Sequence, residues 1–315
     1  MTAPTLAAPA RTRLEAAGCV LHFTAAFPSV DSVTARTAEV RPHAIISRQG
    51  RVEAAAMDAS PRLRVIARHG VGVDDVDLDA ARARGIAVTR APGSNTQAVA
   101  EHAMALLLAV RKTLRPHGAR IAAGGWREPD RGTLDVAGLR LGLLGFGATA
   151  QATARLALAF GMVVATYDPH DGGATPEVAR HPDLFSLLRS SDVLSLHCPL
   201  TPETHGLVDA AALALLPADG MVINTARGGI VDEAALLAAL DGGRLAGAGL
   251  DVFATEPPDL ADRLRDHPLV VATPHVAGVT PGTLVTMGVM AAECVVAVLT
   301  GAPVPAGRLV IAGTR

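Results

Sequence analysis

The chain has 315 residues, 50% of them apolar, and a net charge of −2 from 28 basic and 30 acidic residues. At roughly 100–200 residues per domain, this length predicts two domains. The balanced charge excludes the basic footprint of a dedicated nucleic-acid binder, and the apolar content excludes a largely disordered chain.

Short apolar runs alternate with helical stretches in the first third of the chain. A helix is predicted at 77–84, before Gly85, because a glycine commonly ends a helix. A longer helix is predicted from Gln97 to about Arg115, where Pro116 stops it. Strand, helix and strand in alternation predict a parallel sheet covered by helices. The strands predicted here are 44–47, 63–67 and 86–89.

A second series of apolar runs follows Trp126. Six strands with helices between them match the count of a complete dinucleotide-binding fold. A last helix, from Pro281 to Leu299, ends at Gly301 and is long enough to return to the first domain. The six strands are predicted at 140–144, 163–167, 193–197, 221–225, 246–250 and 270–273.

The sequence predicts no membrane span, disulfide or metal site. Its longest strongly apolar stretches, such as 103–110, fall short of the ~20 residues that a span needs. Cys19, Cys198 and Cys294 are far apart and form no CxxC pair. The first residues lack the pattern of a signal peptide. We therefore expect a cytoplasmic protein without a bound metal and without a nucleic-acid or membrane partner.

A glycine-containing run, GFGATA, begins at Gly145, directly after the strand 140–144, and opens a helix. Its first glycine suits a tight turn, and its second, Gly147, lets backbone approach a pyrophosphate. Ala150 supplies the small side chain that contact between helix and strand requires. The exposed N–H groups at the start of the helix favour phosphate. A lone match of this kind is weak, since glycines after a strand often form only a turn.

An acidic residue stands where a dinucleotide site needs one. Asp168 lies 21 residues after Gly147, at the end of the next predicted strand. A carboxylate there accepts hydrogen bonds from both ribose hydroxyls and repels a 2′-phosphate, which favours NAD over NADP. Taken alone, an aspartate before Pro169 is simply a turn residue. The glycines at the right distance favour the cofactor interpretation.

Three potent side chains follow successive predicted strands, at the edge where open α/β sheets bind ligands. They are Arg227, Glu256 and His275. Each alone has an ordinary explanation: Arg227 as a surface charge, Glu256 as the start of a turn before Pro257, and His275 as a hydrogen-bonded core histidine. Together they predict one converging site.

The motifs together resemble the D-isomer-specific 2-hydroxyacid dehydrogenase family over nearly the whole chain. The resemblance implies an α/β fold of two Rossmann-like domains with parallel sheets, the first one flavodoxin-like and discontinuous, and an active site in the cleft between them. We expect a substrate domain of 1–97 plus 285–315 and a NAD-binding domain of 98–284. The segments that carry the resemblance are 70–77, 99–101, 145–150, 197–204, 224–233, 250–257 and 273–278.

The resemblance also implies roles for single residues. Arg227 binds substrate, His275 is the acid/base and Glu256 is its partner. The backbone amides of Val71 and Gly72 hold the substrate carboxylate. The residues expected to contact NAD are Gly145, Gly147, Ala148, Thr149, Asp168, Cys198, Thr225, Ala226, Asp251, His275 and Gly278.

These groups suit reversible hydride transfer between NAD(H) and a small 2-oxo or 2-hydroxy acid. A histidine can give a proton to the carbonyl oxygen near neutral pH, and a neighbouring carboxylate favours its imidazolium form. A guanidinium matches a carboxylate and polarises the adjacent carbonyl. Two other functions stay open: an NAD(H)-sensing, corepressor-like protein on the same fold, and a phosphite or formate dehydrogenase of the superfamily.

The substrate itself is less well defined. Arg68, just before the 70–72 loop, resembles an arginine of phosphoglycerate dehydrogenases that could reach a phosphate, although a surface charge at a strand end is about equally expected. Ala148 stands where many family members carry arginine, which removes one pyrophosphate contact. We expect a substrate of the 3-phosphoglycerate, hydroxypyruvate, glyoxylate or D-lactate type, and the resemblance suggests a homodimer.

Overall fold

The computed structural model describes residues 1–127, 133–170, 175–259 and 261–314. Contacts between Cα atoms separate two compact units, Met1–Asn95 with Val279–Arg315, and Thr96–Gly278. The boundaries predicted at 97/98 and 284/285 differ from these by a few residues. The difference arises because helices begin at Thr96 and Pro281 and each helix stays whole within one unit.

Strands and helices are numbered in chain order. The strands are β1 (Ala44–Ser47), β2 (Val65–Arg68), β3 (Ala87–Thr89), β4 (Arg140–Leu144), β5 (Val163–Tyr167), β6 (Val178–Arg180), β7 (Val193–Leu196), β8 (Met221–Asn224), β9 (Gly247–Leu250), β10 (Val270–Ala272) and β11 (Leu309–Ile311). The α-helices are α1 (Ala8–Ala16), α2 (Val30–Val40), α3 (Ala54–Asp58), α4 (Leu78–Ala83), α5 (Thr96–Arg111), α6 (Leu114–Ala122), α7 (Ala148–Ala159), α8 (Leu184–Arg189), α9 (Ala210–Leu213), α10 (Glu233–Asp241), α11 (Arg263–Asp266) and α12 (Pro281–Thr300). Gly228–Ile230 form a 3-10 helix.

The first unit contains a small sheet in the order β1-β2-β3-β11. The pairs β1-β2 and β2-β3 are parallel, whereas β11 runs antiparallel to β3. Val65 and Ala67 pack into one apolar cluster with α12, and Ile66 packs into another on the opposite face. This burial on both faces explains why the strands are continuous apolar runs. β11 is not predicted from the sequence, since so short a run gives no periodic signal.

The helix predicted from Gln97 to Arg115 is in fact two helices. α5 ends at Arg111, and α6 begins after Thr113 adopts a left-handed conformation with φ of 49°. The prediction that Pro116 stops the helix is therefore wrong. Pro116 lies in the first turn of α6, where its missing N–H has no intrahelical partner to lose.

The second unit contains a sheet in the order β10-β9-β8-β7-β4-β5-β6, and all of its pairs are parallel. The six predicted strands are present, with small shifts at their ends, whereas the short edge strand β6 is not predicted. Because the strands are parallel, their carboxyl ends share one edge, and the loops that follow β4, β5, β7, β8, β9 and β10 meet there.

Among the described residues, α12 is the one helix long and apolar enough to cross a membrane, judged by length and composition alone. The expectation that no apolar stretch reaches that length is wrong for this segment. α12 packs against α1, β1 and β2, and its buried face includes Met287, Ala291 and Val295. A helix that covers a sheet inside a folded domain needs an apolar face, just as a membrane-spanning helix does. Thr280 caps its start, and Gly301, with φ of 76°, caps its end as predicted.

Candidate active site

The turn after β4 has the geometry that a dinucleotide site requires. Gly145 has a φ of 90°, and a Cβ there would lie 3.1 Å from the backbone of His197 and Cys198. A side chain would therefore strain the turn and press on the loop after β7. Gly147 is the N-cap of α7, and a Cβ there would meet nothing within 4 Å. Open space thus lies beside the start of α7.

The first turn of α7 offers unpaired N–H groups. The backbone N–H groups of Ala148, Thr149 and Ala150 donate to none of the described residues, and Gly147 provides no side-chain cap. Such an uncapped helix start binds anions through these donors and the helix dipole. Ala150 itself is fully buried. Its small side chain serves the packing of α7 on the sheet, as predicted.

Asp168 lies half-buried at the end of β5, and its carboxylate faces the glycine turn. Oδ2 accepts a hydrogen bond from the Phe146 N–H at 2.8 Å, and Oδ1 accepts one from the His170 N–H at 2.8 Å. Each oxygen keeps a second lone pair for a hydroxyl. Arg180 from β6 lines the same open recess and donates to the Asp168 carbonyl at 3.3 Å. This arginine is missed by the sequence reasoning because β6 is so short.

A buried asparagine fixes the turn that carries Arg227. Asn224, the last residue of β8, accepts a hydrogen bond from the Ala226 N–H at 3.0 Å and donates to the Arg227 carbonyl at 2.8 Å. The guanidinium of Arg227 donates to the Ala226 carbonyl at 2.6 Å. The hydroxyl of Thr225 is buried and has no hydrogen-bond partner among the described residues. Such an orphaned hydroxyl is uncommon in a folded protein and fits a ligand contact.

Gly228 marks a close approach between two loops. A Cβ at this position would overlap the backbone of Phe253 and Ala254. Only glycine therefore lets the turn after Arg227 touch the loop that carries Glu256. Gly228 lies within the segment 224–233 that carries the family resemblance, but the sequence alone indicates no role for it.

Asp251, at the end of β9, organises the loop after β10. This residue is 1% exposed, and its carboxylate accepts hydrogen bonds from the Thr273 hydroxyl at 2.6 Å and from the N–H groups of 276–277 at 2.9 and 2.8 Å. His102 from α5 lies 2.9 Å from the same hydroxyl. These contacts hold the loop that contains His275. A contact of Asp251 with the cofactor stays a prediction.

His275 itself has a left-handed backbone conformation, with φ of 53°. Its N–H donates to the Asp251 carbonyl at 2.8 Å. A non-glycine residue in this region costs free energy that the surrounding contacts must offset, and such residues cluster at functional sites. The bonds made by Asp251 provide that compensation.

The imidazole of His275 and the carboxylate of Glu256 form the centre of the site. Nδ1 of His275 lies 2.7 Å from Oε2 of Glu256, whose Oε1 accepts a hydrogen bond from the Phe253 N–H at 3.2 Å. Nε2 of His275 bonds to none of the described residues. The side chains of His275 and Glu256 are 50% and 38% exposed, so water screens the attraction between their charges. The pair therefore orients the imidazole more than it stabilises the fold.

Electrostatics tie Arg227 to this pair. Burial alone would raise the pKa of Glu256, but the hydrogen bond and charge of His275, the Phe253 N–H and the charge of Arg227 outweigh it, so the pKa lies below its ordinary value. The carboxylate is therefore ionised through the neutral range. The structure thus brings together the three residues predicted to form one site.

A second carboxylate, missed by the sequence reasoning, supports the loop of Glu256 from behind. Oε1 of Glu233, the first residue of α10, accepts a hydrogen bond from the Ala254 N–H at 2.6 Å. Burial raises the pKa of Glu233, and the charges of Asp262 and Glu256 act in the same direction, against the lowering effect of the Ala254 bond.

Cys198 lies in the loop after β7, next to Gly145. Burial raises the pKa of its thiol to about 11, so the sulfur is neutral and is no candidate nucleophile. Burial also lowers the pKa of His197 to about 4, and its Nε2 lies 2.9 Å from the Ser195 hydroxyl. Both side chains are therefore uncharged packing elements at neutral pH. A cofactor contact by Cys198 stays a prediction, and it would be a contact of shape without charge.

The predicted substrate contacts of the first unit lie in the loop after β2. The N–H groups of Val71 and Gly72 donate to none of the described residues, as an anion site requires. Arg68 holds this loop, because its guanidinium donates to the carbonyls of Gly72 at 2.9 Å and Ser47 at 3.0 Å and pairs with Asp75 at 3.1 Å. Arg68 is thus a half-buried loop anchor and not a plain surface charge. A phosphate contact by Arg68 stays a prediction.

Comparison with known families identifies the second unit. A profile described as D-isomer specific 2-hydroxyacid dehydrogenase, NAD binding domain, matches residues 104–277. That range contains Arg227, Glu256 and His275. The chain belongs to the D-isomer specific 2-hydroxyacid dehydrogenase family. This confirms the resemblance seen in the motifs.

Two relatives of known name and one solved structure are similar to this chain. D-3-phosphoglycerate dehydrogenase of Mycobacterium bovis is 39% identical over 89% of this chain and 51% of its own length, so the chain spans about half of such relatives. Hydroxypyruvate reductase of Thermotoga maritima is 36% identical over 80% of this chain and 79% of its own. The crystal structure of the TT0316 protein from Thermus thermophilus superposes with a TM-score of 0.87 at 37% identity, over 99% of this chain and 100% of that one.

The NAD-binding domain of this 2-hydroxyacid dehydrogenase family member has features that fit the cofactor. They are the positive φ of Gly145, the open space at Gly147, the unpaired N–H groups of the first turn of α7 and the orphaned hydroxyl of Thr225. Asp168 adds a carboxylate beside the same turn. The structure places Ala226 and Gly278 in the loops at this edge, and their cofactor contacts stay predictions.

Proposed function

We propose that this protein is a NAD-dependent D-2-hydroxyacid dehydrogenase, which transfers hydride reversibly between NAD(H) and a small 2-oxo or 2-hydroxy acid. The observation that carries the proposal is the 2.7 Å contact between His275 Nδ1 and Glu256 Oε2, at the sheet edge that also presents Arg227. The names of the relatives, a dehydrogenase and a reductase, favour this function over a corepressor-like one.

The roles of the site residues follow from their contacts. The glycine turn, the start of α7 and Asp168 would hold NAD, which supplies or accepts the hydride when bound. In the reducing direction, Nε2 of His275 donates its proton to the carbonyl oxygen of the substrate, so an N–H bond breaks and an O–H bond forms. Glu256 holds Nδ1 and stabilises the imidazolium. In the oxidising direction, Nε2 takes the proton back.

Arg227 has the chemistry to place the substrate. Its planar guanidinium offers parallel donors that match a carboxylate, and its charge would stabilise the carbonyl oxygen that becomes negative. Asn224 fixes the turn around it, and Gly228 lets that turn touch the Glu256 loop. These backbone contacts therefore fix the position of Arg227, which binds the substrate, relative to the Glu256–His275 pair, which donates the proton.

Gly228→Ala tests this positioning. We expect kcat/KM for the acid substrate to fall by about tenfold or more, because the added Cβ moves Arg227 away from the Glu256 loop and misplacement of a binding group is costly. Gly229→Ala is the matched control, since a Cβ there meets only side chains, the nearest being Leu200 at 3.4 Å. Steady-state kinetics and thermal unfolding of both variants check the prediction. Equal kcat/KM values would contradict it.

Glu256→Gln tests the pH dependence. The wild-type carboxylate is ionised through neutral pH because its pKa is lowered, and its charge stabilises the protonated imidazole. In the variant, the alkaline limb of the kcat/KM profile for reduction should move to lower pH, because the negative charge that favours the proton-donating form is lost. Glu15→Gln on α1 serves as a control with an unshifted profile. Superimposable profiles for Glu256→Gln and wild type would refute the pairing role.

Asp168→Ala tests the cofactor preference. We expect the ratio of kcat/KM with NADH to that with NADPH to fall by roughly tenfold or more, since charged hydrogen bonds to the ribose are lost and the repulsion of a 2′-phosphate disappears. Arg180 in the same recess can then pair with that phosphate. Asp168→Asn keeps an acceptor without charge and should give an intermediate ratio. An unchanged ratio in both variants would contradict the assignment.

A substrate panel tests the proposed function as a whole. The purified chain is assayed with hydroxypyruvate, glyoxylate, 3-phosphohydroxypyruvate and pyruvate, each with NADH and with NADPH. Oxidation of NADH is expected with at least one acid, and the rank order separates the substrate types. The absence of turnover with every acid and both cofactors would overturn the proposal.

We also propose a cytoplasmic homodimer. α6 supports the dimer: it has no buried residue, and its neighbourhood exposes Leu114, Ile121 and Trp126, of which Trp126 is 78% exposed. Large exposed apolar side chains close together are typical of an interaction surface. Light scattering should show a dimer for the wild type and a monomer for Ile121→Glu, whereas a monomeric wild type would refute the dimer.

The cytoplasmic location is a separate proposal, and cell fractionation tests it.

A further inference from the structure

A chain of hydrogen bonds runs from α5 to the loop that carries His275. Nε2 of His102, on α5, lies 2.9 Å from the hydroxyl oxygen of Thr273, and that hydroxyl donates to Oδ1 of Asp251 at 2.6 Å. All of these residues belong to the second unit, in which α5 packs against β9 and β10. The proton transfer described above gives no role to His102 or Thr273.

The far end of this chain, Asp251, holds three consecutive N–H groups of the loop after β10. Its backbone carbonyl accepts a hydrogen bond from His275 at 2.8 Å, and its carboxylate accepts one from Val276 at 2.9 Å and one from Ala277 at 2.8 Å. Rotation of the carboxylate would break both side-chain bonds. The left-handed backbone of His275 therefore depends on the orientation of one carboxylate.

The Asp251 carboxylate is buried without a permanent cation beside it. It is 1% exposed, and in the described part of the chain it forms no ion pair with a lysine or an arginine. Nε2 of His102 lies 3.5 Å from its Oδ1. A buried carboxylate of this kind depends on hydrogen-bond donors. The Thr273 hydroxyl supplies the shortest of these bonds, so the carboxylate is oriented largely by that hydroxyl.

The protons of the chain determine the form of His102. A threonine hydroxyl has one proton, and that of Thr273 goes to Asp251. The hydroxyl oxygen can then only accept a hydrogen bond from the imidazole, so Nε2 of His102 carries a hydrogen. If Nε2 had a bare lone pair instead, it would compete with Asp251 for the hydroxyl proton. The imidazole thus directs that proton to the carboxylate.

We propose that His102 is a positioning residue for the hydride-transfer reaction. Its Nε2–H orients the Thr273 hydroxyl, which in turn fixes the Asp251 carboxylate. The loop held by that carboxylate then presents the imidazole of His275 to Glu256. This role rests on the proposed function, because His102 acts on the reaction only through the loop. Misplacing a proton donor by about 1 Å can cost about 10²-fold in rate.

Two substitutions at His102 separate the hydrogen-bond donor from the imidazole ring. His102→Leu removes the N–H, so kcat for 2-oxo acid reduction should fall by about tenfold or more while KM for NADH stays within about twofold. His102→Gln places an amide N–H at about the reach of Nε2 and should restore kcat to within about threefold of the wild type. His267→Leu removes an imidazole outside the chain and should keep the wild-type kcat.

A double-mutant cycle tests whether His102 acts through Thr273. Thr273→Val removes the hydroxyl at nearly constant volume and should lower kcat about as much as His102→Leu does. The double variant should be no slower than the slower single variant, because both changes break the same chain of bonds. Effects that multiply, or a His102→Gln enzyme as slow as His102→Leu, would overturn the proposal.

Nitrogen NMR of the full chain labelled at histidine gives a readout that does not depend on turnover. The wild type should show a protonated Nε2 for His102, and the ring nitrogens of His275 should shift in His102→Leu but not in His102→Gln. An unprotonated Nε2, or His275 signals unchanged in His102→Leu, would refute the positioning role alone. A wild type that turned over no acid would instead refute the proposed function on which that role rests.

Discussion

Replacing His275 with asparagine is expected to lower kcat for 2-oxo acid reduction by about 10²–10⁴-fold, the usual contribution of a positioned general acid. Asparagine is chosen because it tolerates the left-handed backbone at this position, φ of 53°, better than other side chains. The loop held by Asp251 is therefore preserved. Affinity for NADH, measured by fluorescence titration, should stay nearly intact.

His267→Asn is the matched control for this change. His267 lies before β10, and its Nε2 is 3.5 Å from Asp241, away from the loops of the proposed site. Its kcat should equal that of the wild type. A His275→Asn enzyme that retains the wild-type kcat, or loses its activity together with NADH binding, would contradict the assignment of His275 as proton donor.

Replacing Arg227 with lysine is expected to lower kcat/KM for the acid substrate by about 10²-fold or more, although the charge is kept. A lysine ammonium is a point charge without the planar pair of donors that grips a carboxylate. It also cannot reproduce the bond to the Ala226 carbonyl while facing the substrate. The loss should appear in both kcat and KM, because the same group binds the acid and polarises its carbonyl.

Arg189→Lys, at the exposed end of α8, controls for the loss of a guanidinium elsewhere in the same unit. Its kinetics should match the wild type. If Arg227→Lys retained kcat/KM within about twofold, Arg227 would not be the carboxylate-binding group, and the geometry around Asn224 and Gly228 would need another explanation.

The chemical groups of the site could be predicted from the sequence because each follows a strand. Arg227, Glu256 and His275 come after apolar runs whose parallel pairing brings their ends to one edge. Gly145 and Asp168 likewise stand at fixed distances around β4 and β5. Local patterns of this kind depend only on the period of the strand and on turn chemistry, so they can be recognised without knowledge of the tertiary structure.

The residues that hold these groups could not be predicted in the same way. Glu233 is distant in sequence from the Ala254 N–H that it binds, and the overlap that makes glycine necessary at Gly228 involves the loop after β9. Such contacts arise only when loops meet. Asn224 alone left a signal, since a polar residue at the end of a buried strand must bond to its own turn.

Isotope transfer shows whether a hydride passes between the cofactor and the acid. The full chain is incubated with stereospecifically 4-deuterated NADH of each configuration and with the fastest substrate whose 2-hydroxy product is chiral, and the product is examined by mass spectrometry and chiral chromatography. We expect deuterium at C2 of the D-hydroxy acid from one of the two cofactor isomers. Product without deuterium from either isomer, or a racemic product, would contradict it.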